Sequence, residues 1–230
     1  MVTETINTFI NYLENQKDFV FTKFGDGEAI CMNKSFEIGS TNCDNQSYSE
    51  NLANLLIESA KYFSNKHNVF IGEWVGDVFE EMLKNILLSN EIYFQYVPYE
   101  TLLNIENTPF KEIKKFYKTI KKSKRKKVYV CPKKLNDASK LLNCDIINVP
   151  ENEAFSEYEM IKEKLQNGNY EIILYSAGLL SKVLIYDLLK FNQNTTHIDI
   201  GSGLDNLYVG TTRAYQIPKE NLIKIYSDIL

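Results

Sequence analysis

Three glycine-containing turns carry the residues whose types and spacing could do chemistry. The first turn places Gly25, Asp26, Gly27 and Glu28 directly after the apolar run FVFTKF. Glycines let the backbone turn sharply and approach a ligand closely. In an extended segment, carboxylates two residues apart project to the same side, where they suit Mg²⁺ or Mn²⁺ shared with substrate phosphates. The alternative is a tight turn whose acidic residues cap the next helix.

The second turn, YSAGLLSK, follows an apolar run and opens a helical pattern. Small residues at such a turn expose backbone N–H groups, and the N-terminus of a helix favours phosphate. Ser176, Gly178 and Lys182 could add to this site. The turn matches neither the P-loop nor the dinucleotide-binding glycine pattern, so an ordinary capped crossover helix stays open as the alternative.

The third turn, IDIGSGLD, again ends a strand-like run with glycines and carboxylates. Asp199 lies inside the strand pattern, and a buried acid there requires a partner or a function. Gly201 and Asp205 follow in the turn. Arg213 stands in the next glycine-punctuated loop, where it could bind phosphate through two hydrogen bonds or form an ordinary salt bridge.

Strand-like and helical patterns alternate along the chain and predict how these turns are positioned. The predicted strands are Phe19–Phe24, Val69–Trp74, Ile92–Val97, Lys127–Cys131, Asp145–Val149, Glu171–Ser176 and Thr196–Ile200. The predicted helices are Met1–Gln16, Ser49–Phe63, Val78–Leu88, Thr108–Ser123, Asn136–Leu142, Ser156–Gln166, Leu180–Phe191 and Lys219–Ile229. This alternation predicts an α/β fold with a mostly parallel, Rossmann-like sheet and helices on both faces. Ligands bind at the carboxyl edge of such sheets, where the three turns could meet.

Composition restricts the class of protein. With 230 residues, 44% of them hydrophobic, and no Pro/Gly/Ser-rich linker, the chain is expected to form one domain over residues 1–230. The formal charge of −4 argues against a nucleic-acid partner. The N-terminal pattern predicts an amphipathic helix rather than a signal peptide, and no apolar run is long enough to span a membrane.

The cysteines and histidines favour a cytoplasmic protein without a zinc site. No two of the four cysteines form a C-x-x-C pair, so free thiols in a reducing compartment are expected. Both histidines, His67 and His197, are expected to be structural. One basic stretch, Lys111–Lys127, holds nine lysines and one arginine. It predicts a solvated helix face or, alternatively, a surface for an anionic acceptor.

Five segments, in this order, resemble a known family. KFGDGE at Lys23–Glu28 is similar to the R-[FY]-G-D-G-E segment of GT-D-type glycosyltransferases, and PENEAFSEY at Pro150–Tyr158 to their P-x-x-N-A-F-x-x-Y stretch. LYSAGLLSKVLIYDL, IDIGSGLD and NLYVGTTRAY resemble later segments of the family, including phage-like members. The resemblance covers roughly residues 19–215, and the ordered set is more specific than any single piece.

The resemblance implies transfer of a hexose from a nucleotide sugar, with UDP as the expected nucleotide, to a hydroxyl of a glycan or protein-linked acceptor. In this family the D-x-E pair is associated with a divalent metal, so Asp26 and Glu28 are expected to hold Mn²⁺ or Mg²⁺. Asp199 or Asp205 would act as the base or orient the acceptor. The residues expected to hold the donor are Lys23, Gly25, Gly27, Ser176, Gly178, Lys182, Gly201 and Arg213.

Two departures from the family stand out. Lys23 replaces an arginine, which keeps the charge but loses the planar fork that binds two phosphate oxygens. The segment YFQYVPYETLL lacks the Arg-Pro element of the glucosyltransferase members. The alternatives are therefore another nucleotide-dependent transferase, such as a sugar-phosphate or nucleotidyl transferase, or a degenerate protein that only binds nucleotide or glycan. The sequence also leaves open whether the chain forms a homodimer.

Overall fold

Seven parallel strands form the frame of the molecule. The computed structural model describes residues 1–34, 36–37, 40–42, 45–210 and 217–230. Its strands are β1 (Val20–Lys23), β2 (Val69–Glu73), β3 (Tyr96–Pro98), β4 (Lys127–Pro132), β5 (Asp145–Val149), β6 (Ile172–Tyr175) and β7 (Thr196–Asp199). They pair in the order β3-β2-β1-β7-β6-β4-β5, and every pairing is parallel. The predicted fold class is confirmed.

Helices cover both faces of this sheet. They are α1 (Val2–Glu14), α2 (Asp26–Met32), α3 (Glu50–Phe63), α4 (Val78–Ser89), α5 (Phe110–Lys122), α6 (Ala138–Leu142), α7 (Tyr158–Asn167), α8 (Leu180–Phe191), α9 (Asp205–Tyr208) and α10 (Lys219–Tyr226). One face packs against α2, α3, α4, α7 and α8. The opposite face packs against α1, α5, α6, α9 and α10.

The central strands alternate their side chains between the two cores. On β4, Val128 and Val130 join the first core, while Tyr129 and Cys131 join the second. All of β6 and β7 is buried, which explains why their sequences carry so little charge. Burial on both faces fixes the register, because a slip by one residue would exchange the two sets of side chains.

The structure differs from the predicted elements at three places. The turn after β1 contains helix α2, and the turn after β7 contains the short helix α9, where the sequence patterns predicted loops. The predicted strand Ile92–Val97 is reduced to β3, which pairs only with β2 at the edge of the sheet. The backbone of Tyr93 bonds instead to Ser64 and Asn65 at the end of α3, so this segment joins β2 only from Gln95 onward.

Among the described residues, no helix is both long and apolar enough to cross a bilayer. Cys31, Cys131 and Cys144 are free thiols, and Cys43 lies outside the described residues. The stretch 37–47 lies partly outside them as well, and its described part holds one antiparallel bridge between Thr41 and Ser47.

Candidate functional site

A cavity of about 430 Å³ opens at the carboxyl edge of the sheet. The turns after β1, β6 and β7 form its floor, because these three strands are neighbours in the sheet. Most of the residues singled out from sequence line this cavity: Lys23, Asp26, Gly27, Glu28, Ser176, Gly178, Lys182, Asp199, Gly201 and Asp205. Arg213 lies outside the described residues. The prediction that the three turns meet at one edge is confirmed.

The first turn begins a helix rather than continuing as an extended segment. Gly25 is the N-cap of α2, and the Glu28 side chain accepts a hydrogen bond of 2.8 Å from the Gly25 backbone N–H. Asp26 and Glu28 are therefore two residues apart on a helix, where successive side chains rotate by about 100°. The predicted extended segment is wrong and the capping alternative describes this turn, while both side chains still line the cavity.

A buried ion cluster of Glu28, Lys182 and Asp199 lies under the cavity. The Lys182 Nζ is 2.8 Å from Glu28 Oε1 and 2.9 Å from Asp199 Oδ2, and it also donates to the Gly178 carbonyl at 3.3 Å. Burial alone would lower the pKa of Lys182, yet the two carboxylates raise it above its ordinary value. All three ammonium protons have acceptors, so Lys182 holds three turns together instead of reaching the nucleotide as predicted.

Both carboxylate oxygens of Asp199 are bonded within the protein. Its side chain accepts from Thr22 Oγ1 at 3.1 Å and from the Gly201 N–H at 3.1 Å, besides the contact with Lys182. Only 1% of the residue is exposed. This burial does not support the predicted role as a base, which requires contact with the acceptor. The contacts with Thr22, Gly201 and Lys182 supply the partners that a buried acid in a strand requires.

Lys23 is a cation in the floor of the cavity whose ammonium group has unused hydrogen-bond donors within the described part of the chain. It is 4% exposed and lines the cavity, and its ammonium donates one hydrogen bond, to the Ile200 carbonyl at 3.1 Å, among the described residues. The pKa of Lys23 is lowered to about 8, chiefly by burial; Asp199 partly offsets this shift, Lys182 adds to it, and Glu28 and Asp205 offset it a little more. Gly201 makes room for this ammonium, since a Cβ at Gly201 would lie 2.9 Å from Nζ.

The second turn offers backbone donors, while the hydroxyl of Ser176 is already bonded within the protein. Ser176 accepts from Tyr129 Oη at 2.7 Å and donates to the Gly201 carbonyl, so its predicted contact with the donor is replaced by structural bonds. The N–H groups of Ala177, Gly178 and Leu179, by contrast, have no acceptor within the described chain. Gly178 has a φ of +55°, which favours glycine, and the three N–H groups precede the N-terminus of α8.

Asp26 and Asp205 are the carboxylates at the half-buried surface of the floor. Asp26 Oδ1 accepts from the Gly27 N–H at 2.8 Å, and no donor reaches its other oxygen from the described residues. Asp205 begins α9, and its position in the cavity keeps the predicted contact with the acceptor open as a proposal. The backbone N–H groups of Gly25, Gly27 and Gly201 already donate within the protein, so these glycines shape the turns and hold no ligand through those groups.

One wall of the cavity was missed by the sequence patterns. Trp74 follows β2 and Tyr99 follows β3, and their rings meet edge to face with centroids 4.7 Å apart. A Cβ at Gly25 would lie 3.0 Å from the Tyr99 hydroxyl and 3.8 Å from Trp74 Cε3, so the pair rests directly on the first turn. No local motif marks two aromatics that lie 25 positions apart, so only the sheet reveals the pair.

The opposite wall is formed after β4 and β5. Its apolar lining consists of Pro132, Leu135, Val149 and Pro150. The family-like segment Pro150–Tyr158 closes this side through Glu153, whose carboxylate accepts from Gln46 Nε2 at 3.0 Å and from the Ser47 N–H at 3.2 Å. The cavity thus runs from an apolar wall, over a charged floor, to an aromatic wall.

The basic stretch lies away from this cavity. It forms α5, which buries Ile113 and Phe116, and the adjoining start of β4, where the chain enters the amino edge of the sheet. Lys114 and Lys118 pair with Asp228 near the C-terminus. This position fits the interpretation as a helix face, and the alternative of a surface for an anionic acceptor stays a prediction.

The histidines fit the expected structural roles. His197 is buried, its Nδ1 lies 2.8 Å from the Tyr175 hydroxyl, and burial lowers its pKa to about 3. His67 is exposed in the turn before β2.

The charge of the floor bears on the expected divalent cation. Four carboxylates and two ammonium groups leave a formal charge of −2: Asp26, Glu28, Asp199 and Asp205 against Lys23 and Lys182. A diphosphate would add negative charge to this surface. Among the described residues no three acidic, histidine or cysteine side chains form a metal-binding group. Of the two expected ligands, Glu28 already pairs with Lys182, while Asp26 accepts one bond at Oδ1 from the described residues, so a hard cation at this floor would be held by Asp26 together with substrate phosphates.

Comparison with known proteins agrees with this architecture. Two solved structures of domain of unknown function 1792, one described as having a distinct glycosyltransferase fold, superpose with a TM-score of 0.61 at 18% identity, covering 98% of this chain and 88% of theirs. At this identity the likeness shows the fold alone. No curated protein matches the chain. The family profile of the GT-D fold-like domain matches residues 1–207, and the chain therefore belongs to the GT-D-like family.

Proposed function

We propose that the protein is a glycosyltransferase that moves a hexose from a nucleotide sugar, with UDP as the nucleotide, to a hydroxyl of a glycan or protein-linked acceptor. The observation that carries this proposal is the cavity at the carboxyl edge of a GT-D-like sheet, into which Lys23 and the N–H groups of Ala177 to Leu179 present unused donors. Such donors suit a diphosphate, and the family membership favours a sugar attached to it.

In this proposal the donor lies across the floor of the cavity. The N–H groups ahead of α8 bind one phosphate, and the ammonium of Lys23 binds the other. The nucleoside lies against the apolar wall of Pro132, Leu135, Val149 and Pro150. The ion cluster beneath, centred on Lys182, fixes the turns before the donor arrives, so little ordering cost remains at binding.

Asp26 would hold Mn²⁺ or Mg²⁺ together with the diphosphate oxygens. When bound, the cation would stabilise the negative charge that develops on the leaving diphosphate. Asp205 would accept the proton of the acceptor hydroxyl or orient that hydroxyl, since it is half-buried and Asp199 is not accessible.

A panel of nucleotide sugars, assayed with Mn²⁺ and with chelator, tests this proposal. Release of the free nucleotide and calorimetric binding are read together. A glycosyltransferase hydrolyses or transfers from at least one donor, and its turnover depends on the cation. Binding without turnover would favour the degenerate binding protein. Turnover only of sugar phosphates or nucleoside triphosphates would favour another transferase class.

We expect the affinity for UDP to fall as the pH rises through about 8. Binding of the diphosphate requires charged Lys23, and burial lowers the pKa of this residue to about 8 in the free protein. Lys182 stays charged over this range because its pKa is raised. Because Lys23 loses a single proton, the affinity for UDP falls by at most about tenfold per pH unit.

Calorimetry with UDP between pH 7 and pH 9.5 checks this expectation, with Lys23→Arg as the matched control. Arginine keeps its charge throughout this range, so the variant should show a flat profile. A wild-type affinity that stays constant, or an identical decline in Lys23→Arg, would remove Lys23 from the donor site.

A further inference from the structure

The aromatic wall of Trp74 and Tyr99 has no role in the diphosphate site. Both rings line the cavity, and the Lys23 ammonium lies 5.6 Å from the centre of the Tyr99 ring. The wall therefore adjoins the cation assigned to the diphosphate. It lies on the side away from the apolar wall, because β2 and β3 are beyond β1 while β4 and β5 are beyond β6.

Trp74 is held in place before any ligand binds. Its indole Nε1 donates to Asp77 Oδ1 at 2.8 Å, and the same oxygen caps α4 by accepting from the Phe79 N–H at 2.9 Å. The ring is nonetheless only partly buried. A fixed, partly exposed aromatic ring inside a polar cavity is a surface ready to be covered by an apolar face.

The strand spacing identifies which part of a donor reaches this wall. The free N–H groups follow β6, Lys23 ends β1, and Trp74 follows β2, so the three lie in one direction across the sheet. Neighbouring strands are about 4.8 Å apart, which puts β6 and β2 roughly 14 Å apart. A diphosphate that spans from the turn after β6 to Lys23 places the group attached to its far phosphate at β2, the next strand.

We propose that Trp74 and Tyr99 form the subsite for the transferred hexose of the nucleotide sugar. This inference rests on the proposed function and names its sugar-binding residues. One face of a pyranose ring carries C–H groups, and covering the indole with that face removes apolar surface from water. The hydroxyl groups at the ring edge remain free to bind the polar floor around Asp26.

The test compares two ligands and three variants. The affinities for UDP and for the UDP-sugar selected in the donor panel are measured by calorimetry for wild type, Trp74→Leu and Trp74→Phe. We expect Trp74→Leu to weaken the UDP-sugar roughly 5- to 30-fold and to leave UDP unchanged within about twofold. Trp74→Phe should keep most of the affinity, because it keeps an aromatic face. Phe191→Leu, which changes an aromatic residue that is 66% exposed and outside the cavity, is the control.

Tryptophan fluorescence gives a second test of contact between the ligand and Trp74, because Trp74 is the chain's single tryptophan. Its fluorescence should respond more strongly to the UDP-sugar than to UDP. Equal losses of both ligands in Trp74→Leu would place the nucleoside at this wall and overturn the inference. Unchanged donor affinity with a raised KM for the acceptor would overturn it in favour of an acceptor subsite. If wild type binds neither ligand, the proposed function itself fails.

Discussion

Replacing Asp26 with asparagine should reduce turnover of the nucleotide sugar roughly 100-fold or more while leaving the fold intact. Asp26 lies at the half-buried surface of the cavity and outside the buried ion cluster, and its carboxylate accepts only from the Gly27 N–H among the described residues. Its loss as the proposed ligand of the cation would remove charge stabilisation of the leaving group. Its contribution to the first turn of α2 is about 0.3–1 kcal/mol, so the melting temperature should fall by a few degrees at most.

Glu28→Gln is the matched control, since it removes the other charge of the same turn. Glu28 contacts Lys182 and caps α2, so this variant should affect the melting temperature more strongly than the turnover of the nucleotide sugar. Steady-state kinetics and thermal unfolding of both variants show which carboxylate supports turnover and which supports stability. If Asp26→Asn keeps full activity and Glu28→Gln is inactive with an unchanged melting temperature, then the assignment of the two carboxylates is reversed.

The largest effect on stability is expected for Lys182→Met. Methionine cannot pair with Glu28 or Asp199, and these two buried carboxylates would then lose the cation that pairs with both of them. Removing one partner of a buried ion pair costs about 3–5 kcal/mol. For a chain of this size that corresponds to a melting temperature roughly 6–20 °C lower.

Lys190→Met provides the comparison on the same helix. Lys190 is exposed near the end of α8, where its ammonium donates a hydrogen bond to the Tyr186 hydroxyl and lies over the Tyr186 ring. This variant should leave the melting temperature close to that of wild type, because substitutions on the exposed surface have little effect on stability. Similar melting temperatures for the two variants would show that the cluster does not hold the turns together, and the account of a preformed floor would fall.

The sheet could be predicted from sequence because burial on both faces leaves a strong local signal. The runs at β1, β6 and β7 are short, largely apolar and separated by helical patterns, and one of the three turns follows each of them. Helix α2 gave no such signal, because it is seven residues long and opens with Asp-Gly, both unfavourable in helices. Its stability comes from the cap by Glu28 and from packing in the first core.

The site was less predictable because its partners are distant in sequence. Lys182 could be placed in a phosphate-like turn, but Glu28, its acceptor, lies 154 residues earlier. Trp74 and Tyr99 belong to different strand ends and acquire a common role only when β2 and β3 pair. Local spacing therefore identifies which residues reach the edge, while the sheet order decides which of them have free donors.

The central claim is that the donor diphosphate binds over Lys23. Calorimetric titration of UDP into Lys23→Met and Lys115→Met tests it most directly, because both variants remove one lysine charge and only Lys23 lines the cavity. Losing a charge-assisted contact of about 1.5–3 kcal/mol predicts roughly 10- to 150-fold weaker binding for Lys23→Met. Lys115→Met, on an exposed position of α5, should bind like wild type. Equal affinities for the two variants would contradict the claim.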